Sequence, residues 1–410
     1  MRALKYLFLA LVFAFSKNNM EGSAQPIWVG TWASSQQIPE PQNALPSAEM
    51  TDVTLRETVH VSRAGSMIRV HLSNAFGTQP LHITSVHLAR PTESGSSAID
   101  PASDRAVLFN GSPEVVIPPG AEYVSDPIAY PLAALSDLTV SMHLEAEPGQ
   151  QTGHPGSRQT TFYAHGDLTA AAEMPSAKKI DHWYILSGVD VQASPGAHSI
   201  VALGDSITDG HGTTTNGNDR WTDVLAGRLQ AIAGSRNTGV LNQGIGGNHL
   251  LIDGLGPNAL ARLDRDVLAQ AGVRYLIVLE GINDLGGLER GGSETQKAHD
   301  ELVHRIIGAY QQIIARAHTH DIKVYGATVM PDGGSDYYHP DAASEEDRQR
   351  VNAWIRERGH FDAVIDFDKV MADPANPHQL LPEYDSNDHL HPGPPGYRAM
   401  GQAIDLSLFK

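Results

Sequence analysis

The chain has no cysteine, only 6% aromatic residues, a shortage of basic side chains and no apolar run long enough to span a bilayer. Without cysteine there can be neither a disulfide nor a lipid on a Cys side chain, so cysteine usage does not identify the compartment. Lys and Arg number 29 against 47 Asp and Glu, for a formal net charge of −18. That acidity disfavours nucleic acid or an anionic membrane surface as a partner and fits an exported protein acting on neutral material. The apolar run over residues 6–15 is too short to cross a membrane. Low-complexity segments and repeats of solenoid or propeller period are lacking too.

What is present suggests export and more than one domain. The chain has 410 residues, of which 41% are hydrophobic, enough for sizeable cores. Arg2 and Lys5 precede the apolar run, and Gly22-Ser-Ala24 supplies small residues for cleavage. Residues 1–24 therefore read as a signal peptide, although the polar stretch over residues 17–21 is longer than a tidy cleavage region. The expected product is secreted or periplasmic, with no stable membrane insertion after cleavage.

Residues 25–192 carry β signals. Ile68, Val70 and Leu72 alternate with Arg69, His71 and Ser73; Leu138, Val140, Met142 and Leu144 alternate with Thr139, Ser141, His143 and Glu145. Such alternation predicts half-buried strands. Short runs at Leu81 and Ile83, and at Val115-Val-Ile117 before Pro118-Pro-Gly120, complete the pattern of an all-β sandwich, jelly-roll-like. No catalytic constellation is visible there. Trp28, Trp32, Phe76, Tyr163, Trp183 and Tyr184 could include a sugar-stacking platform, but aromatics in a sandwich belong mostly to its core.

Over residues 193–410 strands and helices alternate. Strands are expected at 199–203, 239–242, 275–279, 323–327 and 363–367, and helices at about 220–233, 258–270, 294–318, 345–358 and 396–408. Five βα units of this length predict an α/β domain, a doubly wound sheet with helices on both faces.

Chemistry is concentrated where those strands end. The first runs through Val201-Ala-Leu203 into Gly204-Asp-Ser206, a sharp turn that would hold one serine, rigid and exposed, at the carboxyl edge. The second runs into Asn242-Gln-Gly-Ile-Gly-Gly-Asn248, whose glycines can turn an amide N–H toward a ligand. The third ends in Glu280-Gly-Ile-Asn-Asp284, placing the Asn283 amide at the same edge. Before the last helix comes Asp388-His-Leu-His391. An Asp three residues ahead of a His can aim its carboxylate at Nδ1–H and leave Nε2 free as a base. Singly, each piece is also an ordinary turn or cap. Jointly they supply a nucleophile, a base with its orienter and oxyanion donors.

In order, Gly204-Asp-Ser206, Gly247, Asn283 and Asp388-His-Leu-His391 resemble the four blocks of the SGNH (GDSL) hydrolases, over residues 197 to about 408. The resemblance implies a flavodoxin-like three-layer SGNH fold and esterase, lipase or carbohydrate deacetylase activity. It implies Ser206 as nucleophile, His391 as general base and Asp388 as its orienter. The implied oxyanion hole comprises the Ser206 N–H, a glycine N–H (Gly247, with Gly246 the alternative) and the Asn283 amide. No cofactor or metal is implied. Trp28-Val-Gly-Thr-Trp32 and Leu72-Ser-Asn-Ala-Phe-Gly77 are similar to the β domain of a secreted subgroup, often esterases of acylated plant polysaccharides or aryl esters. Gly204-Asp-Ser-Ile-Thr208 lacks the second glycine of a Gly-x-Ser-x-Gly elbow, which argues against the α/β-hydrolase fold.

The expected reaction is ester hydrolysis through an acyl-enzyme, with short acyl groups on carbohydrate or other small alcohols as substrates. Lipase or lysophospholipase action is the nearest alternative. A metal-dependent phosphoesterase built on Asp205, Asp209, Asp284, Asp388, His389 and His391, or a non-catalytic carbohydrate-binding protein, would be rivals from other classes. Oligomeric state is not legible.

Overall fold

A computed structural model describes residues 26–290 and 294–410. The expected signal peptide, residues 1–24, lies outside the described residues. Two antiparallel sheets come first. One has the spatial order Ile27–Ala33, Leu186–Ala193, Gly65–Ser73, Glu122–Val124, with Ile128–Leu132 also paired to Gly65–Ser73. The other runs Lys178–Ile180, Thr161–His165, Val53–Val61, Ser136–Leu144, Leu81–Ala89, Arg105–Ala106, with Val115–Ile117 also on Leu81–Ala89. Ile68, Val70 and Leu72 of the first sheet meet Leu138, Val140, Met142 and Leu144 of the second in one buried core, so the two form a sandwich.

The alternating pattern correctly describes Ile68 to Leu72, where Arg69 and His71 stay partly exposed, but Ser73 is buried, its hydroxyl accepting from Ala75 N–H. It misjudges Ser136–Leu144, because Thr139, Ser141 and His143 are buried as well. Thr139 meets Thr58 Oγ1 (3.1 Å) and His143 meets Thr84 Oγ1 (2.6 Å) on the neighbouring strands, and Ser141 is covered through Arg56. Its guanidinium donates to Ser141 Oγ (2.8 Å) and to the carbonyls of Ser97, Leu168 and Ala171 (2.6, 2.9 and 2.8 Å), holding two loops over the outer face. The aromatic residues form no platform. Trp32, Trp183 and Tyr184 are buried, and the two indoles meet edge to face at 4.9 Å. Trp28 and Phe76 lie under the guanidinium groups of Arg69 and Arg265, and half-buried Tyr163 packs on the core.

A parallel sheet follows, of β1 (His198–Gly204), β2 (Thr238–Gly244), β3 (Val273–Leu279), β4 (Lys323–Ala327) and β5 (Ala363–Ile365). Its order is β2-β1-β3-β4-β5, the doubly wound flavodoxin-like order, with the chain reversing direction across the sheet after β2. The helices that matter below are α1 (Ser206–Asp209), α2 (Trp221–Ala231), α3 (Ile282–Glu289), α4 (Gln296–His318), α5 (Ala342–Arg356) and α6 (Pro394–Ala403). β3 is apolar at successive positions because both faces are covered; Tyr275 to Leu279 are all buried. Edge strand β2 is not left open, since Val240 N–H donates to Ser62 Oγ of the β domain at 2.9 Å.

Local chemistry explains the shifted boundaries. The expected strand over 363–367 stops at Ile365 because Asp366 caps a short helix, Phe367–Met371. The expected helix over 258–270 is helical over Ala259–Leu263 and then widens, with Ala269 N–H bonding Asp264 O five residues back. α3 was not expected at all: it is short and carries Gly286 and Gly287, which weaken any helical signal. Among the described residues no helix is long and apolar enough to cross a membrane.

Candidate active site

The register of the sheet brings the three expected turns to one level. Gly204 pairs with Gly244 on one side and Leu279 on the other, so the turns after β1, β2 and β3 leave the same edge together. Asp205 accepts a hydrogen bond from Ile207 N–H at 2.9 Å and caps α1. Ser206 is thereby the first residue of that turn. Gly210 ends it with φ 102°, its N–H on Ser206 O.

From across the site the Asp388–His391 turn meets the serine. Ser206 Oγ lies 2.8 Å from His391 Nε2, and His391 Nδ1 lies 2.6 Å from Asp388 Oδ2. Asp388 Oδ1 accepts from the backbone N–H of His391 (2.8 Å) and Leu390 (3.0 Å). Burial alone would raise the Asp388 pKa, but these bonds, with His391 beside it, hold the carboxyl well below its ordinary value. Asp388 thus stays ionised and fixes the proton on Nδ1, leaving Nε2 to face the serine.

Opposite the triad are unpaired donors. Among the described residues the backbone N–H groups of Ser206, Gly246 and Gly247 have no hydrogen-bond acceptor. Gly247 has φ 64°, the left-handed region open to glycine, and it lines the same cavity as Ser206 and Asn283. Asn283, on the first turn of α3, donates through Nδ2 to Asn248 O at 2.6 Å. The cavity is about 570 Å³, within the usual range for small-molecule sites.

Beneath these turns lies a buried charged cluster with no recognisable sequence signature. Arg262 donates to Gly204 O (3.0 Å), Gln243 O (2.6 Å) and Asn248 Oδ1 (2.8 Å), tying together the ends of β1 and β2 and the turn beyond. It also reaches Glu280 Oε1 at 3.3 Å. Burial, then the neighbouring Asp205, push Glu280 well above its ordinary pKa, against the pull of Arg262. Burial likewise raises Asp205 to about 7 and Asp284 to about 6, although backbone N–H groups on each carboxylate oppose the shift.

The sequence does not single out His211 or the β-domain residues at the site. His211 lies against His391 with ring centroids 4.1 Å apart. Arg158 of the β domain donates to His211 Nδ1 at 3.1 Å. Burial, then His391 and Arg158, lower His211 to about 4, so it is neutral near pH 7. Pro155, Gly156, Arg158 and His182 bring the β domain into the cavity wall. Tyr337 and Tyr338, from the loop over 330–339, close another side, and the Tyr338 hydroxyl donates to Asn283 Oδ1.

The residues imagined as a metal cluster do not converge. Asp284 accepts the amides of Leu250 and Leu251, and His389 pairs with Asp385 away from Ser206. Among the described residues the group with metal-ligand spacing is His211, Asp388 and His391. There Asp388 and His391 already bond each other, and a guanidinium occupies His211 Nδ1.

The model of the GDSL-like lipase/acylhydrolase family matches residues 202–399. Over those residues the chain belongs to that family. It is an ester hydrolase, an esterase or a lipase, with its GDSL domain behind an antiparallel β region. Among solved structures it is similar to a GDSL-like lipase from Bacteroides thetaiotaomicron VPI-5482, at 19% identity, covering 52% of this chain and 88% of that one, with a TM-score of 0.38. It is also similar to an acetyl xylan esterase (19% identity, 50% and 96% coverage, TM-score 0.37). A third is an alpha/beta hydrolase enzyme from the metagenome of Lake Arreo, Spain (20% identity, 50% and 92% coverage, TM-score 0.36). No curated protein matches the chain by sequence.

Proposed function

We propose that this GDSL-family hydrolase is a serine esterase that removes short acyl groups from carbohydrate or other small alcohols. The observation that carries the reading is the unbroken line Ser206 Oγ, His391 Nε2, His391 Nδ1, Asp388 Oδ2, with contacts of 2.8 and 2.6 Å, opening into a cavity lined by both domains. Ser206 Oγ attacks the ester carbonyl while His391 Nε2 takes its proton; the imidazolium then gives that proton to the departing alcohol. Water enters with His391 again as base, attacks the acyl-enzyme, and the acid leaves as Ser206 regains its proton. The amides of Ser206 and Gly247 and the Asn283 side chain receive the negative charge of each tetrahedral intermediate.

The wall opposite the triad supports a polar alcohol. Gln37, Glu40, Asn43, Arg158 and His182 line the cavity from the β domain and offer hydrogen-bonding groups to hydroxyls, beside an apolar portion formed by Leu255, Leu390 and Pro155 that can take a small acyl group. Export, expected from residues 1–24, would place such an enzyme beside extracellular polysaccharide.

The test compares kcat/KM for acetyl and palmitoyl p-nitrophenyl esters and measures acetate release from acetylated xylan. A preference for acetyl, with acetate released from xylan, is the expected result. A strong preference for palmitoyl would make the enzyme a lipase.

A further inference from the structure

His154 lies in the β domain, yet it touches the helical turn that carries the candidate nucleophile. It sits in a two-residue ladder, Gly153–His154 against Trp183–Tyr184, and its ring stacks on Trp183 with centroids 5.8 Å apart. A second pairing, Gln37 with Gly153, fixes the same segment to the start of the chain's first loop. From there His154 Nε2 approaches Asp209 Oδ1 at 2.8 Å, and both side chains are almost wholly buried, each 4% exposed. Asp209 is the last residue of α1, three positions after Ser206.

The hydrogen-bond inventory fixes the number of protons. His154 Nδ1 lies 2.8 Å from Ser35 O, and a carbonyl oxygen can only accept, so Nδ1 carries a hydrogen. If Nε2 were then bare, it would face a bare carboxylate oxygen across 2.8 Å with no donor between them. A second proton therefore lies between His154 Nε2 and Asp209 Oδ1, and the pair is neutral as a whole.

That proton matters because of where Asp209 lies. Its other oxygen, Oδ2, is buried and has no hydrogen-bond partner. A Cβ on Gly156 would fall 1.8 Å from Oδ2, so only glycine lets the β domain close over it. A Cβ on Gly246 would lie 3.8 Å from the same oxygen, which places the carboxylate beside the Gly246–Gly247 turn. Asp209 lines the cavity together with Ser206, Gly246, Gly247 and Asn283. The nearby guanidinium of Arg220 does not take this charge: it bonds the carbonyls of Asp209 and Ser157. An unneutralised carboxylate there would oppose negative charge developing on the substrate oxygen.

We propose that His154 is a positioning residue for the esterase reaction, holding α1 in place and neutralising Asp209 beside the oxyanion donors. The β domain thereby completes the catalytic site. This rests on the serine-esterase reading, and Ser206→Ala is the control that separates the two: activity surviving in that variant would indict the reading itself.

The experiment measures p-nitrophenyl acetate hydrolysis and thermal melting for full-length His154→Ala, Asp209→Asn and the double variant. The expected result for His154→Ala is a fall in kcat of about tenfold to a hundredfold with KM nearly unchanged. Adding Asp209→Asn to His154→Ala should recover most of that loss, because it removes the stranded charge without restoring any bond to residue 154. Recovery of kcat is a readout that a purely structural latch would not give. A folded His154→Ala protein with unchanged kcat would overturn the proposal, as would a double variant no more active than His154→Ala. If His154→Ala does not fold, a folded and active double variant supports the proposal, and failure of both to fold overturns it.

Discussion

The phenol of Tyr338 donates to the side-chain oxygen of Asn283 at 2.5 Å, because the carbonyl of Asn248, which can only accept, fixes the other end of the amide as nitrogen. That nitrogen keeps a second N–H for the cavity that Asn283 lines. Asn283 is thus held as a donor by partners from two different loops.

Asn283→Ala should lower kcat by about 10²–10³, as single oxyanion-donor losses do, with KM near its original value. Tyr338→Phe leaves the amide in place but frees it to rotate, so its loss in kcat should be smaller. Steady-state constants and melting temperatures for both variants check this. If Asn283 were only part of the α3 turn, its loss would cost stability on the order of 1 kcal/mol and spare kcat.

Residues near one another in sequence were the legible ones. Ser206 follows an apolar strand and a glycine turn, and Asp388 and His391 share one turn; taken together, and with the likeness to the SGNH blocks, these patterns bring them out. His154, His211, Arg158 and Arg262 reach the site only through the fold, from segments with no periodic or motif signal of their own. The same limit affected the β region. The pattern in Ser136–Leu144 specified its inner face, but cross-strand partners decided the outer one: Thr58, Thr84 and Arg56, the last also bonded to carbonyls of distant loops.

Asp284 provides a pH test of the buried cluster. Its carboxyl is raised from 3.8 to about 6, first by burial, with the amides of Leu250 and Leu251 opposing. Asp205, Glu280 and the ring of His249 also face it. Because the folded state holds this proton more tightly than the unfolded one, stability is lost as pH rises through the window from 3.8 to about 6. Above it the penalty is on the order of 3 kcal/mol. Asp284→Asn should therefore compare more favourably with the parent at about pH 8 than at about pH 4. Melting temperatures at both values measure the difference; an equal difference at both would contradict the assignment.

Chelation addresses the remaining rival chemistry. The proposed steps need only Ser206, His391, Asp388 and the oxyanion donors. Prolonged treatment with a chelator should leave the rate of acetyl ester hydrolysis unchanged. Loss of activity that one divalent cation restores would favour a metal-dependent phosphoesterase.

The most direct measurement is covalent trapping at Ser206. The purified protein is treated with a fluorophosphonate, which reacts with activated serine hydroxyls, and its intact mass and esterase activity are followed together. One adduct per chain should form, peptide mapping should place it on Ser206, and activity should fall in step with labelling; Ser206→Ala should be neither labelled nor active. Full ester hydrolysis by a completely labelled protein, or by a folded Ser206→Ala variant, would contradict the account.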